Sequence, residues 1–139
     1  MRILGIDFGD KRIGVAISDP LGLTAQAVAV IGKGDDYDHD IRELKKIIHK
    51  YEGVDEIIVG LPKTMAGDIG RQAQKVLEFV GALKKSFNLK VDTWDERLTT
   101  VEAERTLISA GLSRQKRKQV IDRSAAAYIL QGYLDSRRK

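Results

Sequence analysis

The run Ile57-Ile58-Val59 constrains the fold more than any other part of this sequence. Three consecutive apolar residues are typical of a short strand buried on both faces, and such strands occur in parallel sheets that helices cover on both sides. The strand is predicted to end at Gly60-Leu61-Pro62, where a loop must follow because proline cannot donate to a sheet ladder. Apolar residues recur at helical spacing over 41–51 and over 73–87, and residues 89–94 predict another strand. This alternation predicts an α/β fold.

The start of the chain predicts an antiparallel hairpin. Residues 2–8 include an apolar run that ends near a turn at Gly9-Asp10. Ile13, Val15 and Ile17 then alternate with other residues, which is the period of a second strand. Too few residues separate the two strands for a crossover, so we expect antiparallel pairing. With a third strand over 23–31, the whole pattern predicts a mixed sheet flanked by helices.

Two further helices are predicted near the end of the chain. Thr99 and Glu102 have the spacing of a capping box, and the helix that they open should end at Gly111. A basic link over 112–117 leads into a last helix, from about Lys118 to Ser136. The 139 residues contain no repeat and no linker, which predicts one domain over 1–139.

Composition excludes several kinds of site. The chain has no cysteine, so disulfides, thiol catalysis, Cys-ligated zinc and Fe–S clusters are all excluded. No signal peptide and no membrane-length apolar run is present, which predicts a cytoplasmic protein without a membrane partner. The net charge of +4 is unevenly distributed, because residues 112–139 carry eight Lys/Arg and two Asp while the rest is slightly acidic. A concentrated basic segment favours nucleic acid as the partner.

Three acidic residues fall where the predicted elements would bring them together. Asp7 ends the first strand, Glu96 follows the fifth strand, and Asp122 lies in the last helix beside a run of alanines. Sites in open α/β sheets form at the carboxyl ends of strands, and converging carboxylates suit Mg²⁺ or Mn²⁺. Two such ions could activate water to hydrolyse a phosphodiester. A plainer interpretation is also open: such residues form turns or caps, and Asp122 can pair with Lys118.

Four blocks of the sequence are similar to motifs of a known protein family. They are GIDFGDKRIGVAISD at 5–19, VGLP at 59–62, DERLTT at 95–100, and KRK at 116–118 with Ile121-Asp122 and the alanines 125–127. In this order they resemble the YqgF family of RNase H-like nucleases. One block departs from the family, since many members carry Asn-Met-Asp/Asn-Gly where this chain has Thr64-Met65-Ala66-Gly67.

The resemblance implies a fold and a mechanism. It implies an RNase H-like, five-stranded mixed sheet of order 3-2-1-4-5 in which strand 2 is antiparallel. It implies that Asp7, Glu96 and Asp122 form a catalytic triad that binds Mg²⁺ or Mn²⁺, with Asp7 bridging two ions. Members of the family are described as nucleases that trim the 5′ end of pre-16S rRNA. An older interpretation, by similarity to bacterial junction resolvases, was cleavage of four-way DNA junctions.

Basic residues accompany each acidic position and are candidates to bind phosphates. A solvated helical face is the alternative interpretation, but the cluster directly before Asp122 favours phosphate contact. Aromatic residues make up only 6% of the chain, so recognition should depend on backbone and shape. The predicted nucleic-acid contacts are Lys11, Arg12, Lys63, Arg71, Arg97, Arg114, Lys116, Arg117, Lys118 and Arg123.

The sequence therefore predicts a metal-dependent nuclease that acts on structured RNA, in particular an rRNA precursor. Two alternatives stay open: cleavage of branched DNA, and a non-catalytic nucleic-acid-binding module. Cleavage of branched DNA requires a homodimer to make paired cuts, whereas RNA trimming is compatible with a monomer or a homodimer. The segment Gly5–Gly9 also resembles the phosphate loop of actin-like ATPases and sugar kinases. Those proteins enclose a nucleotide between two such domains, and no P-loop motif is present here, which disfavours nucleotide hydrolysis.

Overall fold

A five-stranded sheet forms the centre of the protein. The computed structural model describes residues 1–64, 66–96, 111 and 113–137, and for residues 114–124 it describes the backbone alone. Its strands are β1 Arg2–Phe8, β2 Arg12–Ser18, β3 Ala25–Gly32, β4 Val54–Leu61 and β5 Lys90–Asp95. The helices of these residues are α1 Tyr37–Lys50, α2 Arg71–Ser86 and α3 Arg114–Arg137.

The strand order is β3-β2-β1-β4-β5, as the resemblance implied. β1 pairs antiparallel with β2 and parallel with β4, so it is the central strand of a mixed sheet. β4 also pairs parallel with β5. β4 extends to Leu61, so Gly60 lies within the strand and does not begin the loop. The predicted hairpin, mixed sheet and flanking helices are confirmed.

Each face of the sheet is covered by helices, because successive residues of a strand point to opposite faces. Leu4, Ile6 and Phe8 of β1 pack in the larger core, to which α1 and α2 contribute. Ile3 belongs to a smaller core on the other face, which α3 covers with Ala126 and Leu130 among others. Residues of β1 with odd numbers, including Asp7, therefore lie on the α3 face.

The helices of the described residues begin in different ways. Asp36 caps α1, because its side chain accepts a hydrogen bond from the backbone N–H of His39 at 3.0 Å. α2 begins after Gly70. α3 begins at Arg114, so the predicted basic link over 112–117 is wrong for its last four residues. Helix formers such as Gln, Lys and Arg dominate these positions, which explains the earlier start.

The predicted capping box at Thr99 and Glu102, and the helix that it opens, lie outside the described residues. Gly111 adopts a φ of +78°, the left-handed region that favours glycine. None of the described helices combines the length and the apolar character needed to cross a membrane.

Candidate active site

Asp7 lies at the centre of the carboxyl end of the sheet. It is the penultimate residue of β1, the central strand, and its cross-strand partner on β2 is Gly14. On the other side β1 pairs with β4 up to Ile6 and Val59, so the next residue of β4 beside Asp7 is Gly60. Asp7 is half-buried and has a glycine beside it on each neighbouring strand.

Glu96 directly follows β5, and its side chain covers β4, the strand between β5 and β1. A Cβ atom built at Gly60 would lie 2.8 Å from Cγ and 3.0 Å from Cδ of Glu96. Such distances are too short for real carbon atoms, so Glu96 occupies space that is free only because residue 60 is glycine. Asp7 and Glu96 are 89 positions apart in sequence, and the parallel β1–β4–β5 arrangement brings them to one end of the sheet.

The negative charge of Asp7 acts on the carboxyl group of Glu96. Burial, and then the negative charges of Asp7 and Asp95, raise the pKa of Glu96 to about 7. Both effects disfavour the ionised form of a carboxyl group. Negative charge is therefore concentrated at this end of the sheet, where a cation would favour the ionised form of Glu96.

The backbone of α3 brings Asp122 towards the same end. A Cβ atom built at Gly14 would lie 3.5 Å from Cβ of Ala126, and one at Gly5 would lie 2.7 Å from Cβ of Leu130. The helix thus runs opposite to β1, and position 122 is one turn further towards the carboxyl end of that strand. The side chain of Asp122 lies outside the described residues, so its membership of the triad stays a prediction.

The described side chains fit part of the predicted metal site. Asp7 and Glu96 offer carboxylate oxygens, the donor atoms that Mg²⁺ and Mn²⁺ prefer. The described residues contain no group of three His, Asp or Glu side chains placed to hold a metal ion. The predicted third ligand, Asp122, is not among those side chains. Binding of Mg²⁺ or Mn²⁺ therefore stays a prediction that the Asp7–Glu96 pair supports.

Four of the predicted nucleic-acid contacts lie around this end of the sheet. Lys11 and Arg12 are exposed at the β1–β2 turn, which a hydrogen bond from Gly9 N to Arg12 O closes at 2.9 Å. Arg71 is exposed at the first position of α2, and Lys63 lies in the loop that leads to it. The next residue of α2, Gln72, donates to the carbonyl of Phe8 at 3.2 Å, which brings α2 to the end of β1.

The side chains of the other six predicted contacts lie outside the described residues. Arg97 lies outside the described residues. The remaining five fall in the first half of α3, where only the backbone is described: Arg114, Lys116, Arg117, Lys118 and Arg123. Their phosphate contacts stay a prediction.

The sequence did not predict a role for two residues of this region. Lys33 follows β3, donates its backbone N–H to Lys11 O at 3.1 Å, and places Nζ 4.1 Å from the centre of the Phe8 ring. It adds a positive charge beside the β1–β2 turn. Thr64 organises the loop after β4, since its hydroxyl accepts from the backbone N–H of Asp68 at 3.1 Å. Neither role has a signal in the local sequence, because both depend on residues in other elements or across a turn.

Comparison with known proteins identifies the family. A family model described as "RuvX: Holliday junction resolvase" matches residues 1–136. The chain belongs to the RuvX family. The resemblance to YqgF proteins is thereby confirmed, since YqgF is another designation of the RuvX family. The match covers all three predicted triad positions, but it does not test their roles.

Relatives in the RuvX family match nearly the whole chain. A Clostridium botulinum (strain Hall) protein named "Putative pre-16S rRNA nuclease" is 56% identical over 136 residues, which cover 98% of both chains. A protein of the same name from Clostridium acetobutylicum is also 56% identical, over 98% of this chain and 99% of its own. This naming supports a nuclease, that is, a hydrolase of nucleic-acid esters.

Solved structures agree with the fold of this RuvX family member. Thermus thermophilus RuvC in complex with a Holliday junction substrate has a TM-score of 0.60 at 14% identity, over 99% of this chain and 96% of its own. The fowlpox virus Holliday junction resolvase has a TM-score of 0.53 at 16% identity, over 98% and 99%. At these identities the likeness shows the RNase H-like fold alone.

Proposed function

We propose that this protein is a metal-dependent nuclease that hydrolyses phosphodiester bonds of structured RNA and processes the 5′ end of pre-16S rRNA. The observation that carries the proposal is the meeting of Asp7 and Glu96 at the carboxyl end of the central sheet. The names of the 56% identical relatives favour rRNA precursor as the substrate. Branched DNA is the second candidate, because the matching family model is described as Holliday junction resolvase.

The chain's own residues would act in two groups. Asp7 and Glu96, with Asp122 from α3, would hold Mg²⁺ or Mn²⁺, which when bound lowers the pKa of water and stabilises the leaving oxygen. Glu96 must be ionised to ligate a cation, so its raised pKa makes binding compete with a proton near neutral pH. Lys11, Arg12 and the basic first half of α3 would neutralise the phosphates on either side of the scissile bond.

The deciding experiment compares two substrates and two variants. Cleavage of 5′-extended 16S rRNA fragments and of four-way DNA junctions is measured in Mg²⁺ and in Mn²⁺. We expect the wild type to cut the RNA, and Asp7→Asn to reduce the rate by at least about 100-fold, the scale of losing one preorganised charged group. Asp7→Asn should keep the folded state, because the change preserves size and shape.

Asp10→Asn is the matched control. Asp10 is an exposed carboxylate three residues further along, paired with Lys75 at 3.8 Å, and its loss should leave cleavage unchanged. Preferential cutting of the junction would replace RNA by branched DNA as the substrate. Tight binding of RNA by both wild type and Asp7→Asn, with no cutting by either, would instead indicate a non-catalytic module.

A further inference from the structure

The two glycines beside Asp7 differ in what surrounds them. At Gly14 an added Cβ would meet Ala126 Cβ at 3.5 Å and Asp7 Cβ at 3.7 Å, which are ordinary contacts. At Gly60 an added Cβ would meet Ile129 Cδ1 at 2.6 Å, and Glu96 Cγ and Cδ at 2.8 and 3.0 Å. A methyl group therefore fits on one side of Asp7 and not on the other.

Backbone conformation does not explain the glycine at position 60. The glycines with positive φ among the described residues are Gly22, Gly53, Gly67 and Gly111, so Gly60 has a conformation open to any residue. A glycine inside a strand also weakens the strand, because it has no side chain to pack. Close approach of other groups to the backbone is another reason for glycine in a strand, and it is observed here.

The space above Gly60, which we call the Gly60 slot, is bounded by the β4 backbone, Glu96 and Ile129. Glu96 enters it from the end of β5, and Ile129 enters it from α3, where it is buried. α3 is also the helix that carries Asp122. Side chains from α3 and from the end of β5 therefore share the space over β4, immediately beside Asp7.

We propose that Gly60 is a positioning residue, whose missing side chain holds Glu96 across β4 beside Asp7. The proposal rests on the proposed function for its consequence, which is metal binding, but the steric coupling within the slot exists without metal. A side chain at position 60 must displace the side chain of Glu96, that of Ile129, or both. Displacement of Glu96 changes its position relative to Asp7, which the proposed site requires nearby.

The first experiment tests the slot itself, in EDTA. Gly60→Ala should lower Tm by about 5–10 °C, the cost of overpacking a chain of this size. Glu96→Ala removes Cγ and Cδ, and Ile129→Val removes Cδ1, so each variant removes atoms that a methyl group at position 60 would meet. The loss of Tm caused by Gly60→Ala should therefore be clearly smaller in each of these backgrounds, and smallest in the double variant. Equal losses of Tm in all four backgrounds would overturn the proposal.

The second experiment tests the positioning role by calorimetric titration with Mn²⁺. Gly60→Ala should weaken Mn²⁺ binding by about 10–100-fold, the range for loss of groups that orient metal ligands. Gly60→Ala/Ile129→Val should recover part of the lost Tm but not the Mn²⁺ affinity, since Glu96 is still displaced. If Gly60 had only a structural role, Gly60→Ala would lower Tm and leave Mn²⁺ affinity unchanged.

Gly14→Ala is the matched control, because Gly14 is the corresponding glycine on the other side of Asp7. It should keep both Tm and Mn²⁺ affinity near the wild-type values. Wild-type Mn²⁺ affinity in Gly60→Ala would overturn the positioning role. Absence of Mn²⁺ binding by the wild type would contradict the proposed function, while the Tm series in EDTA would still decide whether Gly60 holds Glu96 in place.

Discussion

Glu96 shows how one side chain can be set apart by its surroundings. It directly follows a strand, it lies over a glycine, and burial together with Asp7 and Asp95 raises its pKa to about 7. Without metal the folded protein keeps this group protonated up to about pH 7, whereas the unfolded chain ionises it near its ordinary pKa of 4.5. The folded state thus binds more protons between these values, and stability falls as pH rises through this window.

Glu96→Gln should remove this pH dependence. In EDTA the variant should be more stable than the wild type by about 2–3 kcal/mol near pH 8 and nearly equal to it near pH 4, below the ordinary pKa of the group. Urea unfolding at the two pH values measures the difference, and Glu52→Gln, at an exposed glutamate, is the control. A stability difference that is the same at both pH values would show that Glu96 is not protonated in the folded state near pH 7.

At the scale of elements, α3 is attached to the sheet at the end opposite the candidate site. Gln131 bonds to both sides of the start of β3, accepting from Ala25 N at 2.9 Å and donating to Leu23 O at 3.1 Å. Tyr133 donates its hydroxyl to the buried carboxylate of Glu56 on β4, and Arg137 lies 3.6 Å from the same group. These contacts hold the helix that carries Asp122.

Tyr133→Phe should loosen this attachment. Removing a hydrogen bond to a buried charged group costs about 1.5–3 kcal/mol, which thermal or urea unfolding would detect. Burial and the bond to Glu56 raise the pKa of Tyr133 to about 12, so the hydroxyl stays a donor at all pH values below that. Tyr128→Phe, at a half-buried tyrosine of the same helix, is the control. Equal stability of the two variants would show that the Tyr133–Glu56 bond does not secure α3.

At the scale of the whole molecule, basic residues surround the carboxyl end of the sheet. Lys11, Arg12, Lys33 and Arg71 surround the carboxyl ends of β1 and β4, near Asp7. α3 begins with a basic segment and approaches the same end. Each phosphate that such residues neutralise releases counterions, so binding of nucleic acid should weaken steeply with salt.

The basic segment of α3 can be tested by this salt dependence. Lys116→Ala/Arg117→Ala/Lys118→Ala should reduce the slope of log K against log salt by about 2, if each lost contact contributes about 0.7–0.9. Binding of an RNA fragment is measured by fluorescence anisotropy between low and physiological salt. The control removes three exposed lysines at the other end of the molecule, Lys84, Lys85 and Lys90, and should change the slope little. Equal slopes for both triple variants would exclude the segment as a phosphate site.

The sequence by itself determined the elements of the sheet, the covering of both of its faces, and the three acidic positions worth testing. It could do so because alternation, helical spacing and proline act locally, and because the four sequence blocks lie in the order of one family. It misplaced the start of α3, since basic residues suit a helix as well as a link, and it assigned Gly60 to the loop after β4 although Gly60 lies within the strand. Only the tertiary structure decided that Asp7 and Glu96 share one environment and that Gly60 makes the room for it. Those facts depend on contacts between strands and a helix distant along the chain, and no local pattern encodes which atoms will compete for one space.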